Sequence, residues 1–338
     1  MTKEDSKLLQ EYLSSDSKFT FYKGMSFEKH PSCGYMSENS FQMWKLKDYL
    51  GLDTYDAFTL YAVYSMGHAT SALVRGWLNV QKRHFPNKAI PIFTPAQAKE
   101  RLEKLASKGL LYCCDYVTRD KTVILLYTCT KYGYTYFKNT LDISYIPFDE
   151  NLIYHAEVES FKRLSAASIV LGLAKYKNSI AAAIGGKVLY GKNLKQRSLF
   201  TYGWAIIDQN GVKKLYIVEP INFSINESVI SQTESIERTS VRMWQFENFC
   251  LNCKKEMNIP VIPIFCVENL AGLQRFCTIA KERKGTDIYQ NCLYTSENVV
   301  YHFEGNMNKV FTVAQFERTG DETSVRMNPI GEKWCDLD

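Results

Sequence analysis

Two carboxylates on neighbouring strands, with a lysine two residues after the second, can hold a divalent cation. Such a centre activates a water and stabilises the pentacoordinate phosphate of a hydrolysed phosphodiester. Glu219, at the end of KKLYIVE, has the position of the second carboxylate, but Pro220 and Ile221 follow it, so the lysine is missing. Asp208 stands 11 residues before Glu219, which satisfies the count. It falls at the mouth of the turn Gln209-Asn210-Gly211, however, whereas the first carboxylate belongs at the start of its strand, where Thr201, Tyr202 and Gly203 stand. Count and topology disagree, and topology governs, because a metal reads positions in space. Lys213, Lys214, Arg238 and Arg242 are near enough in sequence to replace the absent cation, and Arg238 or Arg242 could equally pair with Glu219. His155, Glu157 and Glu159 could add a ligand or a base from the preceding helix. The same carboxylates would also complement the positive end of an exposed helix. No cofactor is expected, with magnesium or manganese required only if this centre is complete.

Other chemistries lack their motifs. The chain has no G-x-x-x-x-G-K-[ST], no G-x-G-x-x-G after a strand, no H-E-x-x-H and no G-x-S-x-G. Gly185-Gly186-Lys187 lacks the flanking strand and hydroxyl of a phosphate cradle and reads as a turn. His30, His68, His84, His155 and His302 form no metal-spaced pair. Cys250 and Cys253 form a C-x-x-C without a second pair at zinc spacing, and most of the ten cysteines sit in apolar runs such as LLYCC and IPIFCV, as small core residues do. None of the 22 tyrosines is singled out by a histidine cluster as a transesterifying nucleophile.

The elements that must position Glu219 are legible. FTYGWAIID and VKKLYIVEPI flank Asn210-Gly211, a strong hairpin signal. Before them an apolar stripe from Leu152 to Lys177 predicts a helix packed on a sheet. After them come a helix over about Gln232 to Met257, the continuous apolar run VIPIFCV suited to a strand buried on both faces, a helix from Leu270 to Glu282, and the short strand CLYT. Strand, helix, strand implies a parallel pair. The order as a whole is that of a restriction-endonuclease-like mixed sheet flanked by helices.

At 338 residues the chain is long enough for two folding units, and 46% hydrophobic with 23% charged residues is the composition of a globular protein. The net charge of +5 is unevenly distributed: residues 50–140 hold 12 Lys and Arg against 6 Asp and Glu, and the remainder is close to neutral. Within that basic stretch, Tyr55 to Met66 follows Thr54 as a helix start and ends at Gly67, and Ser71 to Phe85 has a second helical period. Thr94 caps a third helix that opens with Pro95 and closes at Gly109. LLYCCDYV and VILLYTCT then make a hairpin about a polar tip. Three helices and a two-stranded wing form a winged helix-turn-helix, an α+β module whose third helix enters a major groove while its wing touches phosphate. Thr94, Gln97, Lys99, Arg101, Lys104 and Lys108 on that helix, and Arg119 and Lys121 on the wing, are the expected contacts to double-stranded DNA.

The phrases RLEKLASKGLLY, YTCTKYGYTYF, VEPIN and PIFCVENLAGLQRF to LYTSEN, in that order, resemble the replication-relaxation family of mobile-element proteins, itself similar to MobC-type plasmid relaxases. The resemblance covers about residues 50 to 315. It implies a winged helix joined to a PD-(D/E)xK nuclease-like fold, acting on plasmid or integrative-element DNA in replication or conjugative transfer beside other proteins of those processes. The domains expected are an N-terminal extension (1–49), the winged helix (50–140), a linker (141–150), the nuclease-like domain (151–315) and a polar tail (316–338). With two of the three catalytic groups missing or misplaced, DNA binding without cleavage is the first expectation. A metal-dependent nicking relaxase and a winged-helix transcription regulator are the alternatives. No apolar run is long enough for a membrane span, since Lys175 and Lys177 interrupt Ala166 to Ile184. The charged start MTKEDSKLLQEYL does not read as a signal peptide, so a cytoplasmic location is expected.

Overall fold

In the computed structural model the described residues are 3–14, 51–117, 121–140, 148–189, 198–221, 240–252, 255, 259–282, 292–303, 306–319 and 322–329. Their contacts divide the chain into two units, residues 19–167 and residues 1–18 with 168–338.

In the first unit, helix α2 (Thr54–Met66) is capped by Asp53, one residue before the expected Thr54. The Asp53 carboxylate accepts from the Asp56 amide at 2.8 Å and the Asp56 carboxylate accepts from the Asp53 amide at 3.0 Å, which satisfies two otherwise orphan donors. Gly67 ends the helix at φ +77°, a conformation that favours glycine. Ala69 forms an antiparallel bridge with Tyr127, and α3 (Ser71–His84) then buries Val74, Trp77, Leu78 and Val80. Helix α4 (Pro95–Ser107) has the Thr94–Gln97 capping box and buries Ala98, Leu102, Leu105 and Ala106. Strands β1 (Leu111–Val117) and β2 (Val123–Cys129) pair antiparallel from Leu111↔Cys129 to Val117↔Val123. Helix α5 (Lys131–Thr140) starts where the Thr130 hydroxyl accepts from the Gly133 amide at 3.0 Å. The expected single helix from Leu152 to Lys177 is two pieces, α6 (Asn151–Tyr154) and α7 (Ala156–Ala174), because His155 leaves helical geometry at φ −119°, ψ 38°.

The second unit is built on a mixed sheet in the order β11-β10-β9-β8-β7-β6-β3. Its strands are β3 (Ser179–Ile184), β6 (Gly203–Gln209), β7 (Val212–Ile221), β8 (Val261–Val267), β9 (Leu293–Ser296), β10 (Thr312–Thr319) and β11 (Glu322–Pro329). The expected Asn210-Gly211 hairpin joins β6 to β7. The expected parallel pairing is found between β7 and β8 and between β8 and β9, with Glu219 level with Phe265, and Phe265 with Tyr294. These central strands are continuous apolar runs because helices lie on both faces of the sheet: residues 240–252 (α8) and α9 (Leu270–Glu282) cover one face, where Phe246 and Phe276 meet Phe265 at 5.9 and 4.9 Å, and α7 covers the other, with Val170 against Gly203. Gly185 and Gly186 do turn the chain, from β3 into the small pair β4 (Lys187–Leu189) and β5 (Ser198–Phe200).

Two stretches that read from the sequence as uninformative are structured. Residues 3–14 form helix α1 (Lys3–Ser14), with Leu9 and Leu13 fully buried and Tyr12 stacked on His302 at 4.1 Å. Residues expected to begin a polar tail instead continue β10 and form β11, paired from Thr312↔Pro329 to Thr319↔Glu322. A strand at the edge of a sheet takes many polar side chains, so its polarity masked its pairing.

Candidate functional site

Glu219 lies near the end of β7, only 5% exposed, and is held by Arg242 of α8. Arg242 Nε donates to Glu219 Oε1 at 2.6 Å and Nη2 to Oε2 at 2.7 Å, a bidentate fork, and Nη2 also donates to the Phe200 carbonyl at 2.7 Å. Burial lowers the Arg242 pKa most, but the Glu219 charge and its hydrogen bonds together outweigh it and keep the guanidinium above its ordinary value. The carboxylate is thus occupied by the cation that the sequence offered as its pairing partner.

Asp208 does not join this group. It accepts from the Gly211 amide at 2.8 Å, as a turn residue does, and pairs in register with Lys213. Six residues of strand separate Lys213 from Glu219, which at the usual rise of about 3.3 Å puts Asp208 about 20 Å from Glu219, too far to share an ion. With Ile221 in place of the lysine, these residues do not fit a metal-dependent nuclease centre. Among the described residues, no group of three or more His, Cys, Asp or Glu side chains is placed to hold a metal.

In the other unit His155 is exposed, and its carbonyl accepts from the Glu159 amide at 3.0 Å. Glu157 lies in the first turn of α7. Glu159 is buried and pairs with Lys162 at 2.8 Å and Arg163 at 3.5 Å. Burial raises the Glu159 pKa, yet Lys162 and Arg163 together hold it below the ordinary value. His68, which the sequence did not single out, is buried beside this group, with its Nε2–H donating to the Leu152 carbonyl at 2.7 Å. Desolvation brings its pKa down to about 4 against the opposing pull of that bond, so the ring is neutral.

The cations of α4 divide into two sets. Arg101 Nη1 reaches Asp53 Oδ2 at 2.5 Å and Asp56 Oδ1 at 2.9 Å, and Lys104 Nζ reaches Asp56 Oδ2 at 2.6 Å and the Gly51 carbonyl at 3.1 Å. Both residues directly precede buried leucines, Leu102 and Leu105, so they border the packed stripe and turn to α2 instead of standing clear on the outer face. Asp53 and Asp56 were missed as partners, although Asp-x-x-Asp ahead of an apolar run is a readable cap. Thr94 and Gln97 are exposed and are engaged in capping each other's amides. Lys99 is exposed and lies 3.7 Å from Glu103, and Lys108 and Lys121 are exposed, Lys121 at φ +63° just ahead of β2. Arg119 and Cys253 lie outside the described residues. Cys113, Cys114, Cys129, Cys266, Cys277 and Cys292 are buried, as apolar context predicts, and burial pushes the Cys277 thiol up to about 12.

No helix among the described residues is long and apolar enough to cross a membrane. Compared with family models, curated proteins and solved structures, the chain matches none.

Proposed function

We propose that the protein binds double-stranded DNA through a winged helix formed by α2 to β2 and carries a nuclease-like second unit that does not cut. The observation that carries the binding half is the chain order: helix, a bridge at Ala69 to the last strand, two more helices, then an antiparallel hairpin, all in the basic stretch of residues 50–140. In this reading α4 lies in the major groove with Gln97 and Lys99 outward, and Lys108 and Lys121 meet flanking phosphates. Support for the second half is the mixed sheet with helices, together with Glu219 closed off by Arg242 and distant from Asp208. The ordered phrases that resemble the replication-relaxation family support a role in plasmid or integrative-element replication or conjugative transfer, in company with other proteins of that process.

The test has two arms. Fluorescence anisotropy with labelled duplexes should give binding that weakens linearly in log affinity against log salt. Supercoiled plasmid incubated with magnesium or manganese should stay intact. Absence of duplex binding overturns the first half, and nicking by the wild type that disappears in Glu219→Ala overturns the second.

A further inference from the structure

The four charges between α2 and α4 differ in how they are held. Asp56 is fully buried and takes Arg101 on one oxygen and Lys104 on the other, so its carboxylate is a fixed part of the interior. Asp53 is different: its side chain is 49% exposed, and it meets Arg101, itself 25% exposed, at the same Nη1 that serves Asp56. A pair open to water on both sides contributes little net stability, because solvent competes for each charge. The Asp53 carboxylate therefore sits as an exchangeable anion on a guanidinium whose other anchor is permanent. A phosphodiester has the same charge and oxygen geometry for an Arg donor as that carboxylate.

We infer that Arg101 is a phosphate site whose resident occupant is Asp53, displaced when duplex DNA seats against α4. This rests on the DNA-binding reading and adds to it an internal competitor for Arg101, one of the contacts the sequence leads one to expect. Asp56 keeps Arg101 in position throughout, and Asp53 Oδ2 gives up the guanidinium while Oδ1, which accepts from the Asp56 amide at 2.8 Å, remains the helix cap. Apparent affinity is then lower than the phosphate interactions alone would give, since each binding event first breaks the Asp53–Arg101 pair.

Asp53→Asn tests this cleanly, because asparagine caps a helix as well as aspartate does and the fold is retained. Glu150→Gln, an exposed carboxylate of the same unit, controls for the change in net charge alone. Anisotropy titrations with a short random duplex at low salt should show Asp53→Asn binding about three- to tenfold tighter, with a salt slope close to that of wild type because Arg101 meets phosphate in both proteins, and Glu150→Gln clearly less affected. In an Arg101→Gln background the gain from Asp53→Asn should fall to that of the charge control, the signature of a coupled pair. Thermal melts of each variant establish that the proteins compared are folded. A gain equal to that of Glu150→Gln, or one that survives in Arg101→Gln, overturns the internal competitor while leaving DNA binding intact. Absence of binding by every variant overturns the DNA reading itself, and the phosphate site with it.

Discussion

Arg242 grips both oxygens of Glu219 and, with the same Nη2, the carbonyl of Phe200. The guanidinium thus ties α8 to β7 and to the end of β5, and it lies 5.9 Å from the centre of the Phe246 ring. Three acceptors in a fixed fork suit arginine and not lysine.

Removing one partner strands the other. Arg242→Met is expected to lower stability by about 3 to 5 kcal/mol, as breaking a buried pair does, because Glu219 then stays buried without its counter-charge. The double variant Glu219→Gln/Arg242→Met should recover a substantial part of that loss. Urea denaturation of the two variants measures the difference, and a double variant no more stable than the single one would falsify the account.

Acid should destabilise the first unit through His68. Its pKa is about 4 in the fold against an ordinary 6.5, so the unfolded chain binds the proton first. Stability is full above the unfolded value and falls as pH drops from about 6.5 towards about 4, by roughly 3 kcal/mol if the whole shift is expressed. Arg163 opposes protonation and Glu159 favours it, so both set the size of the effect. His68→Gln should flatten the stability profile across that window. An unchanged slope between wild type and variant would show that other groups control it.

Glycine at 133 is required by close approach. A Cβ there would stand 2.2 Å from the Leu110 carbonyl oxygen, a backbone atom that Thr130 also holds through its amide. Gly133→Ala should cost about 3 kcal/mol, at the upper end of overpacking. Gly172→Ala meets only the flexible end of Met307, at 2.3 Å, and should cost distinctly less because methionine repacks. Thermal melting of the two variants gives the ranking, and reversal of it would show that the Leu110 turn yields more easily than Met307.

The outward cations of α4 and of the turn ahead of β2 should govern salt dependence. Replacing Lys99, Lys108 and Lys121 together by alanine is expected to weaken duplex binding and to reduce the salt slope by up to about 0.9 for each phosphate that is no longer neutralised. Anisotropy over a salt series reads this directly. A slope identical to wild type means that these side chains do not meet phosphate.

Local signals were legible where one residue type has one physical use. Thr94-Pro95, Gly109 and Asn210-Gly211 fix their helix start, helix end and hairpin, and VIPIFCV announces a strand covered on both faces. Long-range pairing was not. That Arg101 and Lys104 belong to Asp53 and Asp56 depends on α2 and α4 crossing at one place, which spacing along the chain does not encode. The same holds for Arg242 and Glu219, where sequence narrowed the choice to two arginines and packing chose. The break at His155 was hidden because apolar periodicity runs through it, and α1 and β11 were hidden because a short element with one wet face looks polar.

Helix α1 and strand β11 touch one another within the same unit, although the whole of the first unit separates them along the chain. During synthesis, then, residues 3–14 must wait until α9, β9 and residues 297–302 have emerged before their buried leucines find lasting partners, and β11 completes the contact later still. The intervening unit can mature first, leaving α1 open to chaperones for most of translation.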